Sequence, residues 1–393
     1  MWIDHVRLLP ELSGGVAAQQ GSVQVEEGRI TAVCQGNAPT GAEDVIDGGG
    51  RTLLPGLIDA HTHIACLRGF DSCQLRDPLR FFTDTCLFTR RYLDYGFTTI
   101  RDCGVPLRVA NGARDAVERG LFTGPHILAS GLILSPTEVP EDDGIRDMYT
   151  WVDSPDQGRR AARKELAQQA DFVKVMASGS ALHKYGVPVQ PILTEPELSA
   201  IVEAAALKGN YVAAHAHGDG AIRLCVDCGV RTIEHASYIS EETIDALLHT
   251  GNTWLIPTIS AMYQNPETTS AAYQYLVEKL RRMMEQSGVC LRRAYEAGVP
   301  MGFGTDSCPG MDQYEQGLEF LLRREVCGMK DRDILLQATL HNARALGIEG
   351  ETGAIRPGLR ADLLLVDGAP EEDISVLCRR PYMVFVDGCR VRG

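Results

Sequence analysis

The chain has 393 residues, 44% of them hydrophobic, enough to bury a full-sized core, and one large α/β unit with a smaller appendage suits that length better than several compact modules. A formal net charge of −14, from 52 acidic and 38 basic side chains, opposes approach to a phosphate backbone or an anionic membrane, so neither nucleic acid nor membrane is an expected partner. The start Met1-Trp2-Ile3-Asp4-His5-Val6-Arg7 lacks the pattern of a secretory signal, no run of about 18 apolar residues occurs, and the expectation is a cytoplasmic protein with reduced thiols.

In chain order, Val6-Arg7-Leu8-Leu9, Ser22-Val23-Gln24-Val25 and Ile30-Thr31-Ala32-Val33 predict strands divided by glycine-containing turns. An apolar run, Leu53-Leu54-Pro55-Gly56-Leu57-Ile58, then ends in Asp59-Ala60-His61-Thr62-His63. Short apolar strands recur at 97–102, 126–130, 172–176, 212–217, 232–236, 252–257 and 302–306, with helices between them. One such helix starts at the capping box Thr194-Glu195-Pro196-Glu197 and stops at Gly209. Cys225 and Cys228 fall in another and read as packing residues. Residues 362–368 and 383–388 return to strand texture. Eight parallel strands with crossover helices predict an α/β fold, a (β/α)8 TIM barrel over 54–354. The two ends, 1–53 plus 355–393, predict a small β-sandwich domain assembled from both termini.

Polar residues sit at the carboxyl ends of these strands, where a parallel barrel builds its active site. Period-two alternation places Asp59, His61 and His63 on one face, Phe172, Lys174 and Met176 on one, Ala213, His215 and His217 on one, and Ile233 with His235 on one. Gly302 and Gly304 share the face of Asp306 and leave room where ligands converge. Four imidazoles, His61, His63, His215 and His235, with the Asp306 carboxylate match the ligand chemistry of zinc, with cobalt, manganese or iron as substitutes. An ammonium at Lys174 would repel a cation, whereas a lysine that has captured carbon dioxide becomes an anionic carbamate with two oxygens. His5, His126, His249 and His341 read as structural or exposed, and Cys308 as an ordinary buried thiol.

With these motifs in hand the chain resembles the amidohydrolase superfamily, in its branch of metal-dependent dipeptidases and carboxypeptidases of the Xaa-Pro or Xaa-Arg type, related to imidazolonepropionase. The resemblance spans 54–63, 96–102, 174–179, 214–218, 233–235, 304–306 and 358–363. It implies two divalent metal ions, zinc foremost. His61 and His63 would hold the more buried ion, His215 and His235 the more exposed one, Lys174 would bridge both as a carbamate, and Asp306 would bind the buried ion and move protons. The implied reaction is hydrolysis of the amide bond of dipeptides or N-acyl amino acids by a metal-bound hydroxide. His217 and Tyr238 are candidates to contact the oxyanion or a substrate carboxylate. Two alternatives stand beside it: a mononuclear cyclic-amide hydrolase or deaminase, which lacks a bridging lysine, and a lactone or carbamate hydrolase. The partner is a small molecule or dipeptide, and the oligomeric state, a homo-oligomer among the options, is left open. Two loops depart from the relatives' pattern, 138–144 with Glu141-Asp142-Asp143 and 180–186 with His183-Lys184-Tyr185.

Overall fold

Alternating apolar residues at both ends of the chain pair into one eight-stranded sheet. Its order runs Cys389–Arg392, Met383–Val386, Leu363–Val366, Thr52–Pro55, Trp2–Leu8, Ala18–Glu26, Arg29–Gln35, with Val45–Asp47 also pairing Trp2–Leu8. The computed structural model describes residues 1–65, 77–138, 146–180, 188–263, 274–308 and 316–393. Ile3, Val6, Val23, Ile30, Leu53, Leu363 and Phe385 turn to a shared buried core, each contributing roughly 1.5–3 kcal/mol by leaving water. Thr52–Pro55 lies antiparallel to Leu363–Val366, with Leu54 opposite Leu364. Gly56 follows, where an added Cβ would collide with the Thr98 hydroxyl.

The middle of the chain is mixed α/β. Leu57–Thr62, Phe97–Asp102 and His126–Ala129 form a parallel three-stranded sheet. Val173–Met176, Val212–Ala216, Thr232–His235 and Trp254–Ile256 run parallel in a six-stranded one. Helices Val109–Glu118, Pro155–Ala167, Glu195–Ala206, Asp219–Asp227, Glu241–Thr250 and Gln274–Glu296 are among those that alternate with the strands. The capping box is present: the Glu197 carboxylate accepts from the Thr194 backbone N–H at 2.8 Å and from its hydroxyl at 2.7 Å. Cys225 is buried against the helix layer, as expected of a packing residue.

Where the sequence predicts one continuous ring, the sheets are joined by individual backbone bonds. Asp171 N–H donates to Ala129 O at 2.9 Å. The 302–306 segment, predicted as a strand, is pinned on both sides, by Gly302 N–H to Leu255 O at 2.9 Å and by Ala60 N–H to Phe303 O at 3.0 Å. In the middle region, Ile133–Ser135 and Tyr149–Trp151 are strands the sequence does not predict; three residues are too few for an alternation to register. Among the described residues no helix is long and apolar enough to cross a membrane.

The parallel strands sort their side chains as a half-polar interior demands. Val173, Val175, Val212, Ala214 and Ala216 join the large cluster under the helices, while Phe172 and Ala213 pack with Cys103 on the opposite face. His126 ties this unit to the terminal sheet: its Nε2 lies 3.4 Å from Asp362 Oδ1 and 3.5 Å from Asp387 Oδ2. Burial opposes charge on this imidazole, but the two carboxylates outweigh it and lift its pKa to about 9. A histidine pKa raised in the folded state adds stability that is complete below the unfolded value of about 6.5 and disappears as pH rises through the folded one. Thermal unfolding across pH 6 to 10 should therefore show a loss on the order of 2 kcal/mol centred between those values, and His126→Gln should flatten that part of the profile. An unchanged profile in the variant would exclude this link.

Candidate metal centre

The first group of polar residues is assembled by the Leu57–Thr62 strand and the 300–307 segment beside it. Asp306 N–H donates to His61 O at 2.8 Å and His63 N–H to Ser307 O at 2.8 Å, which sets the two chains in register. Asp306 has φ +55°, a left-handed conformation at the end of an extended segment, where a non-glycine residue stores about 1–3 kcal/mol of strain. Its Oδ1 thereby stands 3.3 Å from both His61 Nε2 and His63 Nε2. Gly304 permits this approach, since a Cβ there would lie 2.8 Å from the Cβ of His61. Asp59, on the same face, does not join the group. Its carboxylate accepts from the Thr305 hydroxyl at 2.6 Å and the Thr305 N–H at 3.1 Å, locking the two segments together, and burial pushes its pKa up to about 7.

A second group comes from the next strands. The rings of His215, His217 and His235 lie 4.5–4.7 Å apart by centroid, and His61 is 5.0 Å from His235, so the groups are contiguous. Ligand atoms of His215, His217 and His235 fall within 4.8 Å of one another, as do those of His61, His235 and Asp306. Burial, reinforced by His217 and Lys174, holds His215 well below its ordinary pKa. Burial brings His217 down to about 4 and, with His215 and His217, depresses His235 well below its usual value. These rings are neutral at working pH, as metal ligands must be.

Each ring is held by its far nitrogen. His61 Nδ1 donates to Glu234 Oε2 at 2.6 Å and His63 Nδ1 to Gly104 O at 2.7 Å. His217 Nδ1 meets Ser237 Oγ at 2.8 Å and His235 Nδ1 meets Thr258 Oγ1 at 2.6 Å. Nε2 is the opposite nitrogen in each, and in His61 and His63 it lies 3.3 Å from Asp306 Oδ1. His215 is turned the other way, with Nε2 3.3 Å from Gly179 O, which leaves Nδ1. This is the outer arrangement that fixes the tautomer of metal-bound histidines. The residues fit a metal on a further observation: His61 Nε2 is buried without a hydrogen-bond partner, facing a carboxylate. Against burial, His61 and His63 in turn hold the Asp306 carboxyl well below the usual range.

Lys174 is 2% exposed and acts electrostatically on His61, His215 and His217, which places it in the same neighbourhood. Tyr238 donates its N–H to His217 O at 2.8 Å, and its side chain packs on Met262, Leu280 and Met283. Asp306 keeps 23% of its side chain exposed against 1% for His61, so the centre opens on the Asp306 side. Glu141, Asp142, Asp143, His183, Lys184 and Tyr185 lie outside the described residues.

One alternation fails. Ile233, expected to share an inward face with His235, packs in the cluster under the helices, and Thr232 and Glu234 face the interior instead. His235 reaches the site because its φ is +68°, which rotates the last residue of the strand back inward. Sequence reasoning consequently missed Glu234, and with it Arg101 and Cys103. Charged residues in otherwise apolar, fully buried strands were the available signal. The Glu234 carboxyl is held well below the usual range: burial opposes ionisation, and Arg101 and His61 overcome it. Burial likewise resists ionisation of the Cys103 thiol, but His61, Lys174 and Arg101 together lower its pKa.

The amidohydrolase family profile matches residues 52–391. An ochratoxinase of Aspergillus niger is 27% identical over 352 residues, covering 82% of this chain and 72% of that protein. Among solved structures, a Xaa-Pro dipeptidase with methionine bound in its active site aligns with a TM-score of 0.86 at 29% identity, over 100% of this chain and 99% of that one. A prolidase in complex with N-methylphosphonate-L-proline aligns with the same TM-score, identity and coverage. Such neighbours have the TIM-barrel type of fold.

Proposed function

This chain belongs to the amidohydrolase family and is a hydrolase acting on C–N bonds; on that premise we propose that it cleaves the amide bond of dipeptides or N-acyl amino acids at a pair of divalent metal ions, zinc foremost. His61, His63 and Asp306 would hold one ion and His215 and His235 the other, and Lys174, carboxylated on its nitrogen, would supply an anionic ligand to both. When bound, the metal pair activates a water molecule and polarises the scissile carbonyl. Asp306, the exposed member of the set, takes the proton that the water gives up and delivers it to the departing amine. His217, beside His215 and His235, orients the carbonyl oxygen, and Tyr238, whose N–H donates to His217 O, supports His217 from the following turn. The parallel strands support a closed (β/α)8 barrel from Leu57 onward, with the terminal sheet as a second, sandwich-like domain.

The observation that carries this reading is the contiguity of two ligand groups through His61 and His235. A single-ion site, as in a cyclic-amide hydrolase or deaminase, leaves one of those groups and the buried Lys174 without a purpose. The names of the similar proteins, Xaa-Pro dipeptidase and prolidase, favour a substrate with a free carboxylate over a lactone or carbamate. Metal analysis of protein prepared with bicarbonate, joined to a screen of dipeptide and N-acyl amino acid libraries, tests the proposal. Two metal equivalents and amide cleavage are expected. One equivalent at full activity, or inertness of metal-replete protein toward every amide offered, overturns it.

A further inference from the structure

Behind His61 runs a chain of buried polar groups that the proposed reaction does not itself require. Arg101 and Glu234 have no side-chain exposure. Arg101 Nη2 donates to Glu234 Oε1 at 2.8 Å, and the Thr232 hydroxyl donates to the same oxygen at 2.6 Å. Glu234 Oε2 accepts from His61 Nδ1 at 2.6 Å. Arg101 also donates from Nε to Ala60 O at 2.6 Å and from Nη1 to the Thr232 hydroxyl at 2.9 Å, and its guanidinium lies 5.0 Å from the centre of the Phe172 ring. One arginine thus fixes both the carboxylate that holds His61 and the backbone carbonyl immediately before His61.

We propose that Arg101 and Glu234 are positioning residues that set the tautomer, orientation and ligand strength of His61 for metal binding, an inference that rests on the reading of His61 as a ligand. A carboxylate acceptor at Nδ1 keeps the proton on that nitrogen, so the lone pair resides on Nε2, the atom facing Asp306 and lacking a hydrogen bond. Negative charge behind the ring makes Nε2 a stronger donor to a cation. Arg101, donating at once to Glu234 Oε1 and to Ala60 O, holds the carboxylate and the backbone of His61 in a single arrangement. Glu234 also stands with His61 and Cys103 in a cluster of potential ligand atoms. A metal there would lie against the Arg101 guanidinium, which repels it, so the carboxylate serves the imidazole.

The test is the affinity of the folded protein for zinc alone, by competition with a chromophoric chelator, together with the visible absorption of the cobalt-loaded form. Glu234→Gln keeps shape and removes charge; it is expected to weaken the tighter zinc site roughly 10–100-fold and to alter the cobalt spectrum, at a temperature where circular dichroism shows native folding. Because that variant leaves Arg101 unpaired in the interior, the double variant Arg101→Met with Glu234→Gln removes both charges together and is expected to lose the same affinity. A merely structural ion pair would lower the melting temperature and leave both metal readouts unmoved, and that result overturns the inference. Wild-type protein that binds no zinc overturns the metal reading of the site itself, a result separable from tight wild-type binding that persists in the variants.

Discussion

Asp306→Asn is expected to retain the fold and at least the metal held with His61 and His63, while kcat falls by roughly 10²–10⁴-fold, the usual worth of a positioned acid–base group. The substitution is isosteric, and an amide oxygen still lies beside the two imidazoles that approach Asp306 Oδ1 at 3.3 Å. An amide, however, accepts no proton. His61 and His63 hold the native carboxyl well below the usual range, so it is ionised and ready to accept at every working pH. Steady-state kinetics with metal content measured on the same sample decide the matter. A variant with wild-type metal and kcat within tenfold would remove Asp306 from proton transfer.

Lys174→Ala is expected to abolish nearly all turnover, at least about 10³-fold in kcat/KM, and to lose one of two metal equivalents, because on the proposed reading the carbamate that would serve both ligand groups disappears. The sign of the metal effect separates two states of this side chain. As an unmodified ammonium it would repel cations, in keeping with its depression of the His215 and His217 pKa values, and removing it would tighten metal binding. As a carbamate it holds them, and removing it loosens binding. Chelator competition on native and variant proteins reads that sign directly, and tighter binding in Lys174→Ala would defeat the bridging role.

Much of this site is legible in the chain because strand alternation is a local rule. His61 and His63, and His215 with His217, are each two apart on one strand, and the structure gathers both pairs. The rule fails where the backbone leaves the extended region. His235 at φ +68° and Asp306 at φ +55° arrive through left-handed turns, so the face of Ile233 was misassigned although His235 still reaches the centre. Glu234 was invisible for the same reason, as the residue opposite in parity to a histidine taken to point inward. Non-local partners are a second blind spot: the bond from Glu234 to His61 spans 173 positions, and no local pattern encodes it. In the overall architecture, strand texture at both ends was readable from composition, but that Thr52–Pro55 belongs to the terminal sheet depends on pairing with Leu363–Val366, a long-range fact.

That pairing has a consequence for biogenesis. Leu53 and Leu54, fully buried in the finished protein, wait for Leu363–Val366 to cover their edge, which emerges from the ribosome only after more than three hundred further residues have been made. During synthesis at about 5–20 residues per second, the nascent chain exposes an apolar strand edge for tens of seconds, the condition under which edge-to-edge association competes with folding. Growth temperature and translation speed should therefore govern soluble yield more than the stability of the completed enzyme does.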